Sequence, residues 1–129
     1  MKQNLTIEQS AELIKRGVSK YKASEIEKLY KPTMTQTGKV INVYADNAPV
    51  FTLADLFAML PKGVIYNGLS CKLRITSWYD EPYFAGYMNQ VDKYIMGNPC
   101  DAPFSAEELI DVIFELLCWA IDHNHVKLD

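Results

Sequence analysis

The chain is poor in glycine, proline and cysteine, and each shortage excludes a class of protein. Six glycines and six prolines among 129 residues are too few for a linker or a disordered tail, and 49% hydrophobic residues indicate a folded domain. We expect a single domain, residues 1–129, that buries its own core without metal or disulfides. Three cysteines are an odd number at wide spacing, which indicates reduced thiols.

Long apolar runs and targeting signals are also lacking. The longest apolar stretch, residues 112–121, covers about half of a bilayer crossing and is interrupted by Glu115. The first residues, MKQNLTIEQSAELIK, lack the apolar core and cleavage site of a signal peptide. We therefore expect a cytoplasmic protein that does not enter a membrane.

Charge is distributed unevenly along the chain, although the net charge is only −3. Residues 1–31 carry seven Lys or Arg against four Asp or Glu, a balance of +3, whereas residues 101–129 carry one against seven, a balance of −6. One interpretation places the two segments close together or has them alternate around an oligomer. The other is a basic patch for nucleic acid, but +3 on scattered lysines is too little for a typical footprint. We do not expect a nucleic-acid partner.

The most informative feature present is a highly apolar helix, predicted from Ser105 to about His123 with a capping box completed by Glu108. Its five acids project within an arc of about 100°, and apolar residues cover the remaining arc of roughly 220°. Such a helix must be covered on more than one side. The part that a small sheet leaves uncovered must meet other helices or a second subunit, which selects four interface candidates: Ile110, Phe114, Leu117 and Ile121.

Two capping-box patterns predict a helical hairpin at the N-terminus, over residues 6–30. The first pairs Thr6 with Gln9, and the second pairs Ser24 with Glu27. In each, a hydroxyl side chain precedes a Glu or Gln by three residues, the spacing at which the two caps satisfy each other's backbone N–H groups. This hairpin carries most of the basic residues of the first segment.

The middle of the chain predicts one short strand, one helix and a meander. Residues 40–44 have the composition of an edge strand or an arm. Residues 52–60 begin with a capping pattern and end ahead of Pro61, which predicts a helix. The Asn67-Gly68 pair favours a tight hairpin, and residues 63–88 read as a three-stranded antiparallel meander.

One face of the meander provides the predicted surface site. A three-residue second loop would place Trp78 opposite Phe84 and Arg74 opposite Met88. Aromatic side chains beside an arginine are typical of binding hot spots. Alternatively, another element such as the N-terminal hairpin covers this face. A stacking site for single-stranded nucleic acid on the same face is disfavoured, because the sheet has too few cations to attract phosphate. The surface candidates are Arg74, Trp78, Phe84 and Met88.

The end of the last helix carries residues that invite a catalytic or metal interpretation. Asp122, His123, Asn124 and His125 are consecutive, and Asn124 is predicted to end the helix in a left-handed conformation. A metal site of the two histidines with Cys118 lacks the usual ligand spacing, and Cys118 has no local signature of a base or oxyanion site. No phosphate loop or nucleophile elbow is present, so we expect no enzyme, no metal and no cofactor.

Three strings, LTIEQSAELIKRGV, FTLADLFAMLPK and SAEELIDVIFELLCWAIDH, resemble segments of short uncharacterised proteins that phages and mobile elements of gut anaerobic bacteria encode. The resemblance covers both ends and the middle of the chain. It implies an accessory gene of a mobile element, without an activity, and no functional residue is carried over from it.

Together these patterns predict an α+β domain: an N-terminal helical hairpin, a three-stranded antiparallel meander, and a long apolar C-terminal helix packed on the Leu73 and Ile75 face of the sheet. The predicted function is a non-enzymatic accessory binding or structural protein. We expect a homodimer, or a complex with another protein, through the C-terminal helix or the Trp78 face. The alternative is a small nucleic-acid-associated regulator that uses the basic N-terminal hairpin.

Overall fold

The computed structural model describes residues 2–66, 68–77, 82–89 and 104–128 of the chain. These residues form an α+β fold with two separate sheets, one of two strands and one of four. In chain order the elements are α1 (Ile7–Lys15), β1 (Glu25–Met34), β2 (Val40–Val50), α2 (Leu53–Met59), β3 (Gly63–Tyr66), β4 (Leu69–Ser77), β5 (Tyr83–Asn89), β6 (Phe104–Ala106) and α3 (Leu109–Asp122).

Only the first half of the predicted helical hairpin exists. Thr6 and Gln9 form the expected capping box at the start of α1. The prediction of a second helix is wrong, because the residues after Ser24 form β1, which pairs antiparallel with β2 over the full strand. The backbone N–H and the hydroxyl of Ser24 donate to Asp55 in the first turn of α2, so Ser24 does not cap a helix of its own. A contact distant in sequence thus overrides a local capping pattern.

The meander is present, but it belongs to a four-stranded antiparallel sheet with the order β3-β4-β5-β6. The three-stranded prediction is wrong because residues 104–106 pair with β5, although the last helix was predicted to begin at Ser105. Ser105 lies opposite Phe84 in this pairing. The N-cap of α3 is therefore Glu108, and the helix begins at Leu109.

The register of β4 and β5 also differs from the prediction. Arg74 lies opposite Gly86 and Thr76 opposite Phe84, so five residues, 78–82, separate the two strands instead of three. Because the offset is two residues, each side chain stays on its predicted face. Around Gly68, the hairpin between β3 and β4 has the expected register, with Tyr66 opposite Leu69.

The core lies between α3 and the sheet, but its centre is on β5. α3 contacts β5, β6 and α2, and Ala85 and Tyr87 of β5 are almost completely buried. Leu73 lies opposite Tyr87 and Ile75 opposite Ala85, so α3 packs on the predicted face of the sheet. Its position on that face is nearer to β5 than to β4, because Leu73 is only partly buried and Ile75 is 39% exposed. Within the described ranges, no helix is long and apolar enough to cross a bilayer.

Candidate functional site

The two-stranded sheet of β1 and β2, called the β-ribbon below, is the most unusual surface of the molecule. Its strands pair from Glu25 opposite Val50 to Met34 opposite Val40, with one register shift along the way. Nearly every residue of both strands is exposed; the four exceptions are Leu29, Ala48, Pro49 and Val50. The β-ribbon therefore makes almost no contribution to the core beyond its root, the end at residues 48–50. Residues 40–44, predicted as an edge strand or arm, lie in its exposed part.

Large apolar side chains cover the β-ribbon. Seven of them are 42–71% exposed: Ile26, Tyr30, Met34, Val40, Ile41, Val43 and Tyr44. Successive residues of a strand point to opposite faces, and Met34 lies opposite Val40 while Tyr30 lies opposite Tyr44. Five of the seven consequently share one face, called the apolar face below: Ile26, Tyr30, Met34, Val40 and Tyr44.

An aromatic pair lies in the middle of the apolar face. The rings of Tyr30 and Tyr44 meet edge to face, with their centroids 6.2 Å apart. Both side chains remain more than half exposed. Tyrosine is enriched in protein interfaces because it has a large apolar ring with a hydroxyl that can still be hydrogen-bonded.

The β-ribbon carries no net charge. Residues 25–50 contain three lysines and three acids: Lys28, Lys31, Lys39, Glu25, Glu27 and Asp46. By strand alternation, Lys28 is the one charged residue of the two strands on the apolar face. Phosphate recognition requires clustered cations, so the β-ribbon is not suited to nucleic acid.

Proline limits what can bind along the open edge of β1. The backbone N–H of Thr35 donates to the carbonyl of Lys39 at 2.8 Å. Hydrogen-bonded and non-hydrogen-bonded pairs alternate in an antiparallel ribbon, so Pro32, three positions along and opposite Asn42, belongs to a non-hydrogen-bonded pair. The N–H that proline lacks would have pointed outward from the edge. An added strand would therefore meet a missing donor there, which leaves the faces as the better binding surfaces.

A single carboxylate fastens both ends of the β-ribbon to the body. Asp55 accepts the backbone N–H of Ser24, before β1, at 2.8 Å and the backbone N–H of Thr52, after β2, at 2.9 Å. The Thr52 hydroxyl in turn accepts the Asp55 N–H at 3.2 Å. Burial acts to raise the pKa of Asp55, but the hydrogen bonds from Ser24 and Thr52 outweigh it and hold the pKa below its ordinary value.

The predicted surface candidates do not form an open patch. Arg74 is exposed and Phe84 is partly buried on the same face of the sheet. Met88 is 9% exposed, so little of it is available to a partner. Trp78 lies outside the described residues. The described part of this face thus offers Arg74 with only a portion of one aromatic ring.

The predicted interface candidates on α3 are largely covered by the chain itself. Ile110 and Leu117 are fully buried and Ile121 retains 8% exposure, while Phe114 packs partly buried against the core. The helix contacts α2 and also strands β5 and β6. A second subunit is not needed to cover Ile110 or Leu117.

The basic first segment and the acidic last helix lie against each other, as one interpretation of the charge distribution predicted. Lys2 pairs with Asp111 at 3.0 Å, and the guanidinium of Arg16 holds both oxygens of Asp122, at 3.1 and 3.3 Å. Asp111 also accepts the Gln9 amide at 3.0 Å. Burial acts to raise the pKa of Asp111, but the hydrogen bonds from Gln9 and Lys2 outweigh it and lower the pKa.

A groove of about 380 Å³ runs beside the Arg16 contact. Its apolar walls include Phe104, Phe114 and Trp119, and the Cys118 thiol lies within it, 3.4 Å from Arg16 Nη1. Burial raises the pKa of Cys118 to about 11, and Arg16 lowers it only in part. The thiol is therefore protonated at neutral pH, whereas nucleophilic attack requires the thiolate.

The imidazole rings of the two histidines at the end of α3 pack against an aromatic side chain of the same helix. His123 and His125 each stack near Trp119, at centroid distances of 4.6 and 5.3 Å. Asn124 has a φ of 61°, which confirms its predicted left-handed conformation, and the N–H of His125 donates to Ala120 O at 2.8 Å in a Schellman end. Burial, followed by the charge of His123, lowers the pKa of His125.

Neither metal chemistry nor relatives identify a site. Across residues 2–66, 68–77, 82–89 and 104–128, no group of three or more His, Cys, Asp or Glu side chains is arranged to hold a metal ion. A comparison of the chain with family models, curated proteins and solved structures finds no match.

The β-ribbon was only half visible in the sequence. Residues 40–44 predict part of the second strand, but the first part of β1, up to Tyr30, was predicted as a helix and residues 31–34 as part of a connector. The signal for a strand was the alternation of residues 26–34, in which four of the five even positions are apolar and Lys28 is the exception.

Proposed function

We propose that the chain is a non-enzymatic binding protein that docks another protein chain on its β-ribbon. The observation that carries this proposal is the group of seven large apolar side chains that the β-ribbon leaves 42–71% exposed. Contiguous apolar patches on folded proteins mark interaction surfaces, and an uncovered patch of this kind favours aggregation.

The surroundings of the β-ribbon favour a protein partner over the alternatives. Its zero net charge disfavours nucleic acid, and Arg16, one of the basic residues assigned to that role, is engaged by Asp122 and Glu12. The thiol of Cys118 is held in its protonated form, which disfavours cysteine catalysis. An accessory role in a phage or mobile element is compatible with a binding protein and remains part of the proposal.

Site-specific photocrosslinking tests the proposal. Tyr30 is replaced by benzoylphenylalanine and the full-length protein is irradiated in an extract of the cells that express it. Protein adducts, with any partner including a second copy, are expected from position 30. The matched control is the same replacement at Tyr21, an exposed tyrosine outside the β-ribbon. Adducts that are equally abundant from both positions, or absent from position 30, contradict the proposal.

A further inference from the structure

We infer that the chain docked on the β-ribbon is a second copy of this protein, and that the two copies associate through their apolar faces around a two-fold axis. This inference rests on the proposed function and names its partner. Two-fold contacts use the same patch on both subunits, so the patch must be complementary to itself in size, charge and geometry.

The size of the patch fits a stable dimer. An aromatic side chain covers about 150–250 Å², and the five side chains of the apolar face are 51–71% exposed, so together they offer roughly 500 Å². Each partner in a standard specific interface loses about 800 Å². The apolar face supplies most of this area, and the polar residues at its border account for the remainder.

The charge pattern also fits self-association. A two-fold axis that lies in the plane of contact, perpendicular to the strands and near Tyr30 and Tyr44, brings the two apolar faces together and sets the two β-ribbons antiparallel. The Lys28 side chains, two residues from the axis, then lie on opposite sides of it, roughly 13 Å apart along the strands, a distance at which salt largely screens their repulsion. The remaining strand residues on this face are uncharged, so the contact buries no other ion. A partner recognised by charge would require charged groups on this face, because electrostatic complementarity is what discriminates between partners.

Stability supplies a further argument for a partner that is always present. An isolated two-stranded ribbon is marginally stable in water, and the exposed part of the β-ribbon receives no cover from the described body. A second copy is present wherever the chain is made and in equal amount. Cover by a second copy therefore stabilises the β-ribbon without dependence on another gene product.

Sedimentation equilibrium of the full chain tests the inference. We expect a dimer in the micromolar range. Val40→Glu places a carboxylate on the apolar face and is expected to raise the dimer dissociation constant at least about 100-fold, because two unpaired charges would be buried. Val43→Glu is the matched control, since Val43 lies on the opposite face, across from Lys31, and should change the constant less than about threefold. Circular dichroism verifies that both variants fold.

Each outcome decides the matter. A dimer that Val40→Glu dissociates and Val43→Glu preserves supports the inference. A wild-type chain that remains monomeric in the hundred-micromolar range, or a dimer that responds equally to both substitutions, overturns it. If the chain is monomeric while benzoylphenylalanine at position 30 still forms adducts with a different protein, the inference fails and the proposed function stands. If neither is observed, both fail.

Discussion

A substitution at Leu117 tests whether the monomer itself buries α3, because this side chain is fully buried. Replacement by alanine removes three carbon atoms, and at about 0.8 kcal/mol per buried methylene the lost transfer free energy is roughly 2.4 kcal/mol. The surrounding core closes only partly over the space left behind, so a cavity contribution adds to this loss. We expect Leu117→Ala to lower the free energy of unfolding by about 3–4 kcal/mol, within the range for buried leucines.

Urea and thermal unfolding, followed by circular dichroism at one fixed protein concentration, provide the measurement. The entropy of unfolding, about 2.1 cal/mol/K per residue, is roughly 0.27 kcal/mol/K for a chain of 129 residues. A loss of 3 kcal/mol therefore lowers Tm by about 11 °C. Leu69→Ala is the matched control, because the same side chain is 41% exposed at the start of β4; we expect a loss below about 1 kcal/mol there.

One result would refute this reasoning. If Leu117→Ala unfolds within about 1 kcal/mol of the wild type while the dimer dissociation constant rises sharply, the Leu117 face of α3 is open in the monomer and is covered by a second subunit. The covering of α3 by α2, β5 and β6 would then be incorrect.

Three further predictions concern buried polar groups. Ser10→Ala removes the buried hydroxyl that accepts the Phe51 N–H at 3.2 Å, and urea unfolding should show a loss of about 1–3 kcal/mol because that donor stays buried and unpaired. The pKa of Asp55 is lowered in the folded state. Its contribution to stability is therefore complete above the ordinary aspartate pKa and is lost as the pH falls through the folded-state pKa. Acid titration of Asp55→Asn should lack this loss of stability. Cys118, with a pKa of about 11, should react with iodoacetamide at pH 8 far more slowly in the native protein than in urea.

Matched controls accompany these three predictions. Ser77→Ala, at an exposed serine, should leave stability unchanged. If Ser10→Ala also left stability unchanged, the buried hydrogen bond would be contradicted. Asp46→Asn, at an exposed acid of the β-ribbon, should retain the acid-dependent loss. Labelling of native Cys118 as fast as labelling in urea would contradict a buried, protonated thiol.

The sequence predicted the features whose determinants are local. The capping boxes of Thr6 and Thr52 are present as expected, as are the hairpin at Gly68 and the left-handed Asn124. Each depends on side chains within a few positions of one another. Local hydrogen bonds of this kind can be recognised from spacing alone, and they form where no distant partner competes for the same residues.

The errors arise where a distant partner competes with a local pattern. Ser24 donates to Asp55, thirty-one positions away, and its capping box with Glu27 is not formed. Ser105 pairs in a strand with Phe84, which delays the start of α3. The spacing of polar residues contains no information about these partners. The apolar face of the β-ribbon was missed for the same reason, since it exists only when β1 is paired with β2.

The adjacency of the two ends of the β-ribbon separates recognition from folding. Glu25 and Val50 are register partners, which places their Cα atoms about 5 Å apart, and Asp55 joins the chain on either side of them. The residues beyond the root, 26–47, can therefore be shortened, lengthened or exchanged for another hairpin while the helices and the four-stranded sheet keep their positions. The β-ribbon is thus a replaceable module, and the binding partner can change during evolution or by design without a redesign of the core.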